Sequence, residues 1–181
     1  MYKITQKFVV CAMSGIACAW LPPVYAHYSC AAPAEYFFTP YDDGLSPYLA
    51  LLDKAKQTVH IAIYGFTEPA ITEKLIELHR RGVQVNLIVD RSQSRGKAQL
   101  MQIRKLQLAG VDVCIGTSAV HGQIMHNKLT IVDDRYVEVG SWNYTRSATR
   151  QSNVLMILDS PALAERFMDN WQRIKDDILR K

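Results

Sequence analysis

Two stretches of this chain are built alike: "RRGVQV" at residues 80–85 and "LAGVDV" at residues 108–113. In each, a run with helical spacing stops at a glycine and turns at once into Val-x-Val. Glycine closes a helix in the left-handed conformation at little steric cost, and alternating β-branched residues suit a strand. Two such exits in succession predict successive βα units, hence neighbouring parallel strands joined by right-handed crossovers. The expected class is α/β: a mixed, mostly parallel β-sheet flanked by helices on both faces, with one domain per chain.

The flanking sequence fills in that frame. "YFFTP" predicts a short first strand ended by Pro40, and "SPYLALLDKAKQ" a helix with Ser46 as cap and Pro47 in its first turn. "TVHIAIYGF" predicts a strand with Val59, Ile61 and Ile63 on one face and His60, Ala62 and Tyr64 on the other. A helix follows from Thr67 as cap through Pro69, and then the near-continuous apolar run "VQVNLIVD", the pattern of a strand covered on both faces. "NKLTIVDD" and "RYVEVGS" predict two strands joined by a tight turn near Asp133-Asp134-Arg135, and "NVLMIL" a last strand. The closing helix carries Ser160 as cap and an apolar stripe of Leu163, Phe167, Trp171, Ile174 and Ile178, facing a core or a second subunit.

Residues 1–26 stand apart from this pattern. Lys3 and Lys7 precede an apolar stretch from Phe8 to Leu21, and Val24-Tyr25-Ala26 offers small-residue cleavage. That is the layout of a signal peptide, so the mature domain is expected to be residues 27–181, exported to the periplasm or secreted. Cleavage near Ala26 leaves 181 − 26 = 155 residues, enough for one domain with its own core. It also lowers the formal charge from +4 to +2, so an anionic partner must be met by a local basic patch. Cys30 and Cys114 remain, either as one disulfide or as separate thiols.

The chemistry concentrates in "HNKLTIVDDRYVEVGSWN", residues 126–143. His126 and Lys128 lie two apart, on one side of a strand, while Leu129 and Ile131 point to the other side. Asp133 shares the parity of Leu129 and Ile131, which assigns it to structure more readily than to a ligand. Ser141 and Asn143 follow on the neighbouring strand of a hairpin, near His126 and Lys128. A nucleophile or base, a fixed cation, a hydroxyl and an amide facing one pocket suit an oxyanion with several oxygens, such as a phosphodiester.

His126-x-Lys128, four residues, Asp133, six residues, then Gly140-Ser141-x-Asn143 resembles the signature of the phospholipase D superfamily at every keyed position. From average residue usage such a match arises by chance in on the order of one chain in a million. "IAIYGFTEPAITEKLIELHRRGVQVNLIVD" before it and "SWNYTRSATRQSNVLMILDSPALAERFMDNW" after it resemble the superfamily's small, exported, single-motif endonucleases. The resemblance implies a two-step mechanism in which one motif histidine attacks phosphorus and a second serves as acid and then base. Lys128 and Asn143 would hold the phosphoryl oxygens, with Ser141 in support. With one motif per chain, the second histidine would come from a homodimer. No metal or other cofactor is then required, because the lysines neutralise the phosphate.

The substrate expected on this basis is DNA, with RNA as a further one, and no stable membrane association after signal cleavage. Arg91, Arg95 and Lys97 in "DRSQSRGKAQ", with Arg146 and Arg150, supply candidate backbone contacts, and Trp142 is placed to stack on bases or to pack beneath the site. Phospholipid head-group hydrolysis and a non-catalytic nucleic-acid-binding relic are the alternatives. His121, five residues before His126, is expected at the entrance of the site or in a solvated loop. The chain departs from the superfamily pattern in one place: no Asp or Glu follows the motif in "TRSATRQSNVLMIL", where Ser152 and Asn153 stand near the usual acid. Glu138 is one carboxylate available to replace it.

Overall fold

The computed structural model describes residues 32–181; the expected signal segment and Cys30, and with it the question of a disulfide to Cys114, lie outside the described residues. In the first half strands alternate with helices: β1 (Ala34–Thr39), α1 (Leu45–Asp53), β2 (Thr58–Ile63), α2 (Pro69–Arg80), β3 (Gln84–Asp90), α3 (Arg91–Ser94) and α4 (Lys97–Leu108). Then come β4 (Asp112–Gly116), β5 (Lys128–Val132), β6 (Tyr136–Gly140), β7 (Asn153–Asp159) and α5 (Pro161–Leu179). They form one sheet in the order β1-β7-β6-β5-β2-β3-β4.

The twin helix exits act as expected. Gly82 and Gly110 take φ of 91° and 90° at the ends of α2 and α4, and β2–β3 and β3–β4 pair in parallel. The sheet is mixed, but its other four pairings are antiparallel, which corrects the expectation of a mostly parallel sheet. The reason is connection length. Asp133 and Asp134 adopt φ of 51° and 49° in a tight turn that can only join antiparallel strands. A parallel neighbour needs a crossover of a dozen or more residues, and only the helix-bearing connections between β2, β3 and β4 pair their strands that way.

Both sheet faces are covered. Tyr48, Leu51 and Leu52 of α1, Ile71, Leu75 and Leu78 of α2, and Ile103 and Leu106 of α4 pack on Val59, Ile61, Ile63, Leu87 and Val89. On the opposite face α5 lays Ala164, Trp171 and Ile178 against Ala62, Ile88, Leu129 and Ile131. The Trp171 indole N–H donates to the Ile61 carbonyl at 2.9 Å, so the α5 stripe faces the core. Among the described residues no helix is long and apolar enough to cross a membrane.

Ser160 caps α5 as expected, accepting from Leu163 N at 3.3 Å. The other two caps shift. The Asp43 carboxylate accepts from Leu45 N at 2.8 Å in place of a Ser46 cap, and Glu68 accepts from Ala70 N at 3.3 Å in place of Thr67. In both cases a nearby carboxylate meets the unpaired amides of the first turn, where negative charge is favoured.

The register brings the start of β5 to the end of β2, with Lys128 opposite Ile63. The motif thus opens at the carboxyl ends of the parallel strands, where open α/β sheets bind ligands. Gly140 closes β6 against β7. A Cβ there would overlap the Val154 carbonyl oxygen, the same oxygen that accepts from Ser141 N at 2.9 Å. Any larger residue would push the Ser141–Asn143 turn away from the sheet.

Candidate active site

His126 is exposed and Lys128 is buried, as expected for two residues on one side of a chain that enters a core. Lys128 Nζ donates to the His126 carbonyl oxygen at 3.0 Å and lies 3.2 Å from Nδ1 and 3.1 Å from Nε2. Near-equal distances put the ammonium beside the ring, aligned with neither lone pair. The Tyr64 ring completes the cluster. Its centroid lies 4.5 Å from that of His126, with the planes at 56°, and 5.1 Å from Lys128 Nζ. Gln93 Nε2 donates to the Tyr64 hydroxyl at 2.8 Å.

Desolvation pulls the His126 imidazole below the ordinary histidine value; the Lys128 ammonium adds to this and the Asp90 carboxylate opposes it. Burial likewise lowers Lys128. A neutral imidazole beside a held cation is the resting form a nitrogen nucleophile needs. Asp90 contributes through the backbone: its Oδ2 accepts from Met125 N at 2.9 Å, one residue before His126. Oδ1 accepts from Ser92 N at 2.8 Å and Gln93 N at 3.2 Å. Tyr64, Gln93 and Asp90 were not among the sequence candidates. The alternation of β2 already set Tyr64 on the face of His60 and Ala62, but the β2–β5 pairing that delivers it to His126 is not a local property.

Ser141 and Asn143 are held by backbone. Asn143 Oδ1 accepts from Gly65 N at 3.1 Å, just past β2, and an alanine at Gly65 would press on the Asn143 side chain at 3.1 Å. Ser141 Oγ donates to Asn153 Oδ1 at 3.1 Å and accepts from Val154 N at 3.0 Å. Asn153, near the place of the absent acid, therefore supports Ser141. Glu138 does not replace that acid. It is fully buried, with its partner Tyr144 Oη at hydrogen-bonding distance. Among the described residues, no carboxylate is hydrogen-bonded to the His126 ring.

Asp133 stands away from this cluster, as its parity implied. Its Oδ1 accepts from Gln57 N and Thr58 N, and its Oδ2 from Lys56 N, all at 2.8 Å. It ties the hairpin to the segment between α1 and β2. Asp133→Ala is expected to cost about 2–4 kcal/mol in urea denaturation, from three lost charge-assisted bonds and a side chain less tolerant of positive φ. Turnover per folded molecule should stay near wild type; lost turnover at unchanged stability would move Asp133 to the substrate.

Of the candidate contact residues, Arg91 and Arg95 line a cleft of about 340 Å³ together with His121. Lys97 instead lines a separate groove with Arg104 and Lys105. Arg146 is exposed and 3.7 Å from the Glu68 carboxylate, and Arg150 is exposed in a short 3-10 turn. Trp142 cannot stack on a base. It is fully buried, packed on Tyr48 and Tyr144 with ring centroids 5.7 and 5.5 Å away. The turn that presents Asn143 folds its two aromatic neighbours inward.

His126 and Lys128 stand just before and at the start of β5, and Ser141 and Asn143 on the turn after β6, at the carboxyl edge of the parallel strands of an α/β sheet. The family described as "Cardiolipin synthase, PLD-like domain" matches residues 48–175. A phospholipase D from Rickettsia bellii is 34% identical over 157 residues, covering 83% of this chain and 75% of the relative. A mitochondrial cardiolipin hydrolase from Chlamydomonas reinhardtii is 34% identical over 143 residues, 78% of this chain and 61% of the relative. The crystal structure of Nuc, a phospholipase D family member from Salmonella typhimurium, superimposes with a TM-score of 0.76 at 27% identity, covering 82% of this chain and 97% of that one. The chain belongs to the phospholipase D superfamily, and its reaction class is phosphodiester hydrolysis.

Proposed function

We propose that this chain is a metal-independent phosphodiesterase that cleaves polynucleotide backbones, DNA first and RNA second, at a site completed by a second copy of itself. The observation that carries this reading is the exposed His126 beside the held Lys128 cation, with Arg91 and Arg95, which form no ion pair among the described residues, just past the end of β3. In the first step a His126 nitrogen bonds to phosphorus and the phosphorus–oxygen bond to the leaving group breaks. The departing oxygen takes a proton from His126 of a second copy, which is in its imidazolium form. In the second step that imidazole removes a proton from water, the hydroxide oxygen bonds to phosphorus, and the phosphorus–nitrogen bond breaks. The two Lys128 ammonium groups and the Asn143 amides hold the non-bridging oxygens, which gather negative charge in both steps. Asp90, through Met125, and Tyr64 fix where the nucleophile sits.

A lipid head group as substrate draws support from the exposed Val120 and Ile124 on the loop before His126 and from the names of the relatives above. One experiment separates the readings. The mature protein is incubated in excess chelator with plasmid DNA, with RNA, and with vesicles of phosphatidylcholine or cardiolipin. Cleavage of nucleic acid that persists in chelator supports the proposal. Turnover of lipid alone overturns the substrate, inhibition by chelator overturns the metal-free mechanism, and binding of DNA without cleavage leaves the non-catalytic reading.

A further inference from the structure

The cleft beside the motif has a role beyond general attraction of anions. Its walls are Asp90, Arg91 and Arg95, at and just after the end of β3, and Thr117, His121 and Ile124, between β4 and β5. Thr117 and Ile124 are shared with the smaller cleft of about 200 Å³ that His126 lines. Ile124 lies two residues before His126, so at most about 7 Å of backbone separates the two spaces.

Lys181 also lines this cleft, its ammonium donating to the Ser118 carbonyl oxygen, but the two arginines meet no carboxylate among the described residues. Lys74, Arg81, Arg135, Lys175 and Arg180 each meet a carboxylate, whereas among the described residues Arg91 and Arg95 form no ion pair. The side-chain carboxylate in the wall, Asp90, has both oxygens engaged by the backbone amides of Ser92, Gln93 and Met125. Arg91 and Arg95 are four apart across the α3 turn, and Arg95 keeps helical φ and ψ of −75° and −22°, so their stems rise from one face. Two guanidinium forks on one face suit the paired oxygens of a phosphate.

We propose that this cleft is a second phosphate subsite, in which Arg91, Arg95 and His121 hold the phosphodiester adjacent to the one at His126. It rests on the nuclease reading, and it makes a run of two consecutive phosphodiesters the unit the enzyme recognises. A polynucleotide repeats its phosphates at such short intervals.

The test compares wild type with the Arg91→Ala/Arg95→Ala double variant on thymidine dinucleotide (one phosphodiester), trinucleotide (two) and bis(p-nitrophenyl) phosphate. In wild type the second phosphodiester should raise kcat/KM, and the double variant should lower the trinucleotide-to-dinucleotide ratio by about tenfold to a hundredfold, the effect of one or two lost charge-assisted contacts. The slope of log KM against log salt for the trinucleotide should become shallower by about 0.7, the value for one phosphate on a single strand. An unchanged ratio, or equal losses on all three substrates, overturns the subsite. Wild type that hydrolyses bis(p-nitrophenyl) phosphate but neither nucleotide overturns the nuclease reading itself. Both proteins are also assayed on cardiolipin vesicles, whose lipid carries two phosphates; a loss appearing there alone would reassign the cleft to a membrane substrate. Thermal midpoints should match, since both arginines are exposed.

Discussion

His126→Ala is expected to bind polynucleotide and not cut it, with turnover lowered by at least about a thousandfold. The side chain is exposed, and the fold around it rests on Leu129 and Ile131 on the opposite side of β5, so stability should change little. In the proposed mechanism each dimer uses one His126 as nucleophile and the other as acid and base, so a dimer with a single histidine is inactive. Wild type and variant mixed in equal amounts, after subunit exchange, should therefore retain about one quarter of the activity, from random pairing of two-fold partners. A chain acting alone would retain about one half. Because partial desolvation and Lys128 lower the imidazole, the acid limb of the wild-type rate profile should fall below the ordinary histidine value of 6.5. A phosphorylated imidazole trapped by alkaline denaturation, stable in base and lost in acid, and absent from the variant, would identify the intermediate; cleavage that survives the substitution would remove His126 from its role.

What the sequence revealed and what it hid divide along the range of the forces involved. The glycine-closed helices, the pairing of β2, β3 and β4, and the common face of His126 and Lys128 follow from periods of 3.6 and 2 within short windows. Even the structural role of Asp133 follows from its parity. The mixed sheet order does not, because it depends on which apolar faces meet after the local elements form. Trp142 shows the limit: next to Asn143 it reads equally as a base-stacking ring or as packing beneath the site, and only the tertiary contacts with Tyr48 and Tyr144 decide for packing. Glu138 shows it again. In "YVEVG" its alternation with two valines gives no sign that both faces of β6 are covered, by α1 with the Tyr144 turn on one side and α5 on the other.

That burial carries the second large effect. Glu138 sits with Tyr144 Oη, which is 2.6 Å from Thr130 Oγ1, which is in turn 2.8 Å from Tyr48 Oη. Burial pushes the Glu138 carboxyl up to about 8 from an ordinary 4.5, against the pull of the Tyr144 and Thr130 hydrogen bonds. Between those two values the folded chain keeps a proton that the unfolded chain has released, so stability falls as pH rises across the window. Below 4.5 both states hold the proton, above about 8 neither does, and the slope vanishes at both ends. At about 1.4 kcal/mol per pH unit, the loss reaches on the order of 3 kcal/mol by pH 7. Glu138→Gln keeps a carbonyl oxygen for the Tyr144 hydroxyl and removes the ionisation. Its unfolding free energy minus that of wild type, measured in urea from pH 4.5 to 8, should therefore rise steadily by a few kcal/mol. The difference isolates this carboxyl, because every other titrating group is common to both proteins. Parallel curves would mean that Glu138 is already ionised in the folded chain, with a cation or water reaching its unpartnered Oε1.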